Sequence, residues 1–326
     1  MSDLTRLQAL RGTLRFDVPM KAHVSWRAGG NARQAYVPAD LDDLATFIAT
    51  LPPGEEMYFI GLGSNTLVRD GGLDGTVILV QGALDAMRLM GEGAQASIYA
   101  EAGVASPKLA RFATNAGFAG AEWLAGIPGT VGGALAMNAG CYGSETWEFV
   151  VRAHLLGRDG RVRVRERDTF DIGYRHCALH DRSIVLGRDE WFVAADFAFA
   201  HDARPDAVAD SRASMKDWLA RRAATQPLNL PYAGSVFRNP PGDHAARLIE
   251  SCRLKGKRVG GAEVSTKHAN FIVNPDETAT AADIEQLITD VAAIVARECR
   301  VQLEREVRIL GKLGNPGRAT TTGSAA

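Results

Sequence analysis

The densest chemical signal in the chain is a run of glycines and small residues, Gly126-Ile127-Pro128-Gly129-Thr130-Val131-Gly132-Gly133-Ala134-Leu135-Ala136-Met137-Asn138-Ala139-Gly140. Glycines this close together serve where backbone N–H groups must approach an anion with no Cβ in the way, and consecutive N–H groups form an anion-binding concavity. A second turn of the same kind, Gly61-Leu62-Gly63-Ser64-Asn65, follows a short apolar run at 57–60. Two such turns suit a ligand with two phosphates. Neither is a Rossmann fingerprint, because GxGxxG would need glycine where Thr66 stands. Nor is there a Walker A: Lys257 follows Gly256, but no glycine stands five residues earlier and Arg258 replaces the Ser or Thr. Composition alone equally allows a plain glycine-rich turn between packed elements.

Other reactive residue types are dispersed. Cys141, Cys177, Cys252 and Cys299 have no CxxC spacing, so they read as reduced thiols rather than a disulfide frame, and no metal site is expected. The basic group Arg253, Lys255, Lys257 and Arg258 offers charge for phosphates, although such a run is more often a solvated face. Hydrophobic residues at 46% and charged residues at 23% describe a globular chain, and a formal charge of -1 excludes the broad basic field of a nucleic-acid binder. Charged residues interrupt positions 1–20, and nowhere do about 18 apolar residues run together, so neither a signal peptide nor a membrane span is expected. A cytoplasmic protein is the expectation.

The elements that must position these residues are legible in part. The spacing of Leu41, Leu44, Phe47, Ile48 and Leu51 predicts a helix stopped by Pro52-Pro53-Gly54. Positions 57–60 and 76–80 read as strands, and 106–115 as a helix closed by Gly117. From 150 to 199 the pattern turns to strands, with Asp159-Gly160 marking a hairpin between 150–156 and 161–165 and a further strand at 191–199. Positions 201–205 look like a linker, and a helix at 207–224 is expected to open a second unit. That unit also holds a strong helix at 281–299 and a strand at 307–310. The division expected is 1–82, 83–203 and 204–312, with a disordered tail at 313–326.

Taken together, several segments resemble one family. The glycine-rich run, Gly61 to Asn65, Trp26-Arg27-Ala28-Gly29-Gly30-Asn31-Ala32, Tyr174-Arg175, Gly234-Ser235-Val236-Phe237-Arg238-Asn239-Pro240 and Leu303-Glu304-Arg305-Glu306-Val307-Arg308 look like the UDP-N-acetylenolpyruvoylglucosamine reductases, in that family's order. The resemblance implies an α+β fold: a two-lobed FAD-binding domain of the vanillyl-alcohol-oxidase type, at 1–82 and 83–203, plus a smaller α+β substrate-binding domain. It implies non-covalent FAD, NADPH as the hydride donor, a UDP-sugar substrate and a monomer. Gln226-Pro227-Leu228 ahead of Gly234 is similar to the shorter, second type of the family, without the tyrosine-bearing insertion of the first.

The resemblance also implies site residues. Gly61, Gly63, Ser64, Asn65, Thr66, Gly126, Ile127, Gly129, Thr130, Gly132, Gly133, Asn138 and Gly140 would hold the cofactor. Ser235 would be the proton donor, with Arg175 and Glu306 polarising the substrate carboxylate. Tyr174, Arg222, Arg238 and Asn239 would contact substrate, and Lys267 and His268 lie in sequence where they could line the site. Reducing an enolpyruvyl ether needs hydride at one alkene carbon, a proton at the other, and stabilisation of charge spreading into the carboxylate. A planar guanidinium suits the last task. A free serine is too weak an acid unaided and must be activated by its surroundings. Two other readings use the same glycines: an oxidase or dehydrogenase of hydroxy acids or alcohols on the same flavin fold, and a nucleotide-binding module without redox activity. Flavin colour and the identity of the oxidising substrate separate the three.

Overall fold

The computed structural model describes residues 10–92 and 96–314. Their contacts divide them into two compact units that are interleaved along the chain. The first takes 10–16, 34–64 and 75–226, and the second takes 17–33, 65–74 and 227–314. The tail expected at 313–326 falls outside the described residues from 315 onward.

The first unit is built around an antiparallel five-stranded sheet in the order Val162–Glu166, Val150–Gly157, Glu190–Phe197, Ser97–Glu101, Met87–Met90. The central strand, Glu190–Phe197, is buried at every position, whereas the edge strand Val162–Glu166 alternates exposed and half-buried residues. The difference follows from having neighbours on both sides rather than one. The predicted hairpin forms as expected, with Leu156 opposite Val162 across the Gly157–Gly160 turn. Helix Ser106–Asn115 covers the sheet with Leu109, Ala110 and Ala113, carries Pro107 in its first turn, and stops before Gly117 at φ +81. Trp147 anchors this core: its ring packs against Phe170 at 4.4 Å, and its Nε1 donates to the Leu135 carbonyl at 2.9 Å. A second cluster of the same unit gathers Tyr36, Leu44, Phe47, Ile48, Ile78 and Trp191 around the predicted helix Leu41–Ile48.

A buried carboxylate crosses this sheet. Asp196, with 3% of its side chain exposed, accepts from Arg152 Nε at 2.5 Å and faces His154 Nε2 at 3.2 Å. Burial by itself would raise its pKa, but the bonds from His154 and Arg152 outweigh burial and hold it below the ordinary carboxylate value. A depressed folded-state pKa contributes stability that is full above the unfolded value, about 4, and is lost as pH falls through the folded value. Asp196→Asn is therefore expected to cost about 1–3 kcal/mol at pH 7 and to flatten the acid decline. Urea unfolding of parent and variant at pH 7 and near pH 3 checks this; an equal acid loss in both would contradict it.

The second unit packs around helix Ala281–Cys299. Ile284, Leu287, Ile288, Val291 and Val295 form one apolar face at helical spacing, and all are buried. Thr280 and Asp283 close a capping box, and Asp70 accepts from the Ala281 and Ala282 amides at 3.0 and 2.9 Å. Against this helix lie Trp26, Leu67, Val236, Phe237, Leu248 and Val264. Strand Thr66–Val68 runs parallel to Arg308–Leu310, and a three-stranded sheet orders Arg258–Val259, Ala262–Val264 and Ile272–Val273.

One element differs in allegiance from the sequence expectation. Helix Ala207–Thr225 groups with the first unit rather than opening the second. The apparent linker is no break, because Ala200–His201 pairs with Phe118–Ala119. Met215 then enters the first unit's core, Ser211 Oγ bonds Glu122, and Trp218 stacks on Tyr142 at 4.9 Å.

Candidate active site

The glycine-rich run is not one continuous turn. A 3-10 turn, Glu122–Gly126, passes through buried Ile127 into Gly129 and Thr130, after which Val131–Met137 winds into a helix containing Gly132 and Gly133. Asn138 ends that helix at φ +40, and Gly140 lies in the two-residue strand Gly140–Cys141. The segment is fastened to the sheet beneath it: the Gly132 amide donates to the Ala102 carbonyl at 2.9 Å, and Val131 donates to Val104 at 2.8 Å.

The other predicted turn is brought directly to this one. A Cβ on Gly61 would run into Thr130 Oγ1, and a Cβ on Gly129 would stand 3.3 Å from Ser64 Oγ. Two glycine segments about 70 positions apart thus pack against one another in the first unit, each glycine facing a side chain of the other segment. The missing Cβ at Gly61 is what lets the Thr130 side chain lie against this turn. Gly63 is buried beside them, while the unit boundary falls after Ser64, so Asn65 and Thr66 belong to the second unit.

Arg175 is tied to the same run. It sits at the tip of the hairpin Phe170–Gly173 and His176–Leu179, in the left-handed region at φ +52. Its Nη1 donates to the Asn138 carbonyl at 3.1 Å and its Nη2 to Gly140 at 3.0 Å, with Glu145 at 3.8 Å. Asn138 fastens the hairpin from the other side, donating through Nδ2 to the Gly173 carbonyl at 3.0 Å and to Glu145 at 2.7 Å, while its Oδ1 accepts from the Trp147 amide. Tyr174 is exposed, with the Arg175 guanidinium 5.0 Å from its ring centre. Arg222, in the last turn of its helix, donates to Gln226 at 2.8 Å.

In the second unit, Ser235 and Glu306 are brought together by adjacent backbone. Gly234, at φ +68, takes the conformation that the turn before Ser235 requires. The Glu306 amide then donates to the Val236 carbonyl at 2.8 Å, and the Arg238 amide to Glu304 at 2.8 Å. Arg238 also pairs with the Glu304 carboxylate at 2.9 Å. Asn239 accepts from the Ala245 amide at 3.1 Å, at the start of helix Ala245–Ser251. Asn65 joins the same segment, its carbonyl accepting from Arg308 at 3.0 Å.

Comparison with known proteins decides the kinship. An FAD-binding-domain model matches residues 32–165, and a model for the C-terminal domain of UDP-N-acetylenolpyruvoylglucosamine reductase matches 226–310. The reductase of Thiobacillus denitrificans is 53% identical over 313 residues, covering 93% of this chain and 94% of that relative. The chain belongs to the UDP-N-acetylenolpyruvoylglucosamine reductase family. A reductase from Legionella pneumophila is 48% identical over 309 residues, covering 95% of this chain and 96% of its own. The crystal structure of the Thermus caldophilus reductase superposes with a TM-score of 0.75 at 29% identity, covering 93% of this chain and all of that one. As a member of this reductase family the protein is an FAD-dependent oxidoreductase with the expected α+β architecture, an FAD-binding domain and a C-terminal domain.

Two residues of this reductase that position others gave no sequence signal. Asn270 brackets Ser235: its carbonyl accepts from Val236 at 2.9 Å, its Oδ1 from Phe237 at 3.0 Å, and its Nδ2 donates to the Phe237 carbonyl at 2.8 Å. Glu145 holds both Asn138 and Arg175. Asn270 lies 33 positions from Phe237, and Glu145, although only seven from Asn138, is remote from Arg175, so no short spacing rule reaches either junction. His268 is half-buried, burial and Lys255 hold its pKa below the usual histidine value, and its ring packs edge-on to Phe271 at 4.4 Å.

Proposed function

We propose that the protein reduces the enolpyruvyl group of UDP-N-acetylenolpyruvoylglucosamine to UDP-N-acetylmuramate, using NADPH as electron source and non-covalently bound FAD as carrier, in peptidoglycan synthesis. The observation that carries this reading is the meeting of Gly61 and Ser64 with Thr130 and Gly129 in a chain of this reductase family. Bound FAD supplies hydride transfer between NADPH and the alkene carbon. The backbone of Gly61, Gly63, Ser64, Gly126, Ile127, Gly129, Thr130, Gly132 and Gly133 holds its pyrophosphate, with Asn65, Thr66, Asn138 and Gly140 completing the cofactor contacts.

Arg175 grips the substrate carboxylate, and its two bonds to backbone carbonyls keep its planar fork oriented. Glu306 polarises the same carboxylate in its protonated form, since two ionised carboxylates do not share a site. Ser235 Oγ gives its proton to the second alkene carbon. Tyr174, Arg222, Arg238 and Asn239 bind the sugar nucleotide, for which Arg238 exchanges its Glu304 partner. Cys141 forms no flavin link: burial pushes its thiol up to about 12 against the opposing influence of Arg222 and Arg175, leaving almost no thiolate. A cytoplasmic monomer fits this role, and among the described residues no helix is long and apolar enough to cross a membrane.

Purified protein is expected to be yellow, to release all colour on denaturation, and to be bleached by NADPH without oxygen. The enolpyruvyl sugar nucleotide should then restore the oxidised spectrum. Colourless protein that still binds the nucleotide, or flavin re-oxidised by alcohols and not by this substrate, would overturn the reading.

A further inference from the structure

Two cysteines that the proposed chemistry does not use lie against each other in the second unit. Cys252 Sγ and Cys299 Sγ are 3.5 Å apart, although the residues are 47 positions apart in sequence. Both are free and half-buried. Cys252 follows helix Ala245–Ser251 as its C-terminal cap, and Cys299 is the last residue of helix Ala281–Cys299, immediately before Arg300 at φ +58. Two helix ends, rather than two helix middles, therefore carry the thiols. Ser251 Oγ adds a third small polar group, 3.7 Å from Cys299 Sγ.

We propose that Cys252 and Cys299 form a dithiol modification site that closes reversibly to an intramolecular disulfide when presented with a small-molecule disulfide oxidant of the oxidised-glutathione class. A bond of about 2.05 Å requires the sulfurs to approach by roughly 1.5 Å from their separation in the structure. The thiolate of one cysteine attacks a sulfur of the oxidant and expels one thiolate, leaving a mixed disulfide. The neighbouring sulfur then attacks the protein sulfur of that bond and expels the second thiolate. Two electrons pass to the oxidant, and the two protons lost by the cysteines appear on the two small thiols released. Burial, Cys299 and Glu298 push the Cys252 thiol up to about 11, so closure is slow at neutral pH and faster in mild alkali.

The remaining cysteines serve as internal controls. Cys141 and Cys177 lie in the first unit, and burial pushes each thiol up to about 12.

The holoenzyme, incubated with oxidised glutathione at mildly alkaline pH, is expected to fall from four titratable thiols to two and to recover all four with dithiothreitol. Non-reducing peptide mass spectrometry should find one cross-link, joining the Cys252 and Cys299 peptides. The oxidised form should melt several degrees higher, because the cross-link restricts the unfolded chain. Cys252→Ser and Cys299→Ser should each abolish the cross-link and leave a glutathione adduct on the surviving partner. Separate adducts on both cysteines of the parent, links to Cys141 or Cys177, or disulfide-linked dimers would overturn the proposal.

Discussion

Ser235→Ala is expected to leave reduction of the bound flavin by NADPH intact while slowing its re-oxidation by the enolpyruvyl substrate by roughly 10²–10⁴-fold, the usual worth of a positioned proton donor. The two half-reactions separate because only the second places a proton on carbon. The segment bearing Ser235 is held by Asn270 on one side and by the Glu306 amide on the other, so losing one hydroxyl should not disturb its backbone. Stopped-flow absorbance of the flavin, first with NADPH and then with substrate, measures each step. Equal slowing of both would show that the serine supports binding or folding rather than proton transfer, and unchanged re-oxidation would remove it from the reaction.

Asn138→Ala is expected to cost about 3–5 kcal/mol of stability and to weaken retention of the flavin. Its side chain makes hydrogen bonds to Glu145, the Gly173 carbonyl and the Trp147 amide, each worth about 1 kcal/mol or somewhat more when buried. Alanine would also meet a left-handed backbone, at about 1–2 kcal/mol. Asn138→Gly removes the hydrogen bonds but tolerates the backbone, so it should be about 1 kcal/mol less damaging. The bonds lost join the glycine-rich run to the hairpin of Arg175, so the alanine variant should also re-oxidise slowly. Urea unfolding, with flavin retention after gel filtration, tests both parts. A variant within 1 kcal/mol of the parent would show that this junction is held elsewhere.

The asymmetry between these residues reflects how much of the site was legible in one dimension. Ser235 and Glu306 stand in local motifs, and the structure joins their segments backbone to backbone. Asn138 was visible only as part of a glycine-rich run, whereas its work is to clasp a hairpin 35 positions away. Asn270 and Glu145 carried no signal. The helix Val131–Met137 was missed because two consecutive glycines argue against helix by propensity, and only packing against strand Ser97–Glu101 and its continuation overrides that cost. Helix Ala207–Thr225 is legible as a helix, but its unit is not, since its contacts are set by Glu122 and Tyr142 rather than by chain neighbours.

The elements whose cause is local are written in the chain: the capped amphipathic helix Ala281–Cys299, the helix Ser106–Asn115 with its proline start and glycine stop, the hairpin at Gly157–Gly160, and a supply of closely spaced glycines. Periodicity, caps and turn residues act within a few positions, and so they can be read there. Folding in three dimensions is what brings Gly61 to Thr130, interleaves the units along the chain, and sets Cys252 against Cys299. Those contacts join residues tens of positions apart, and they are set by which buried faces fit together rather than by any pattern in the intervening chain.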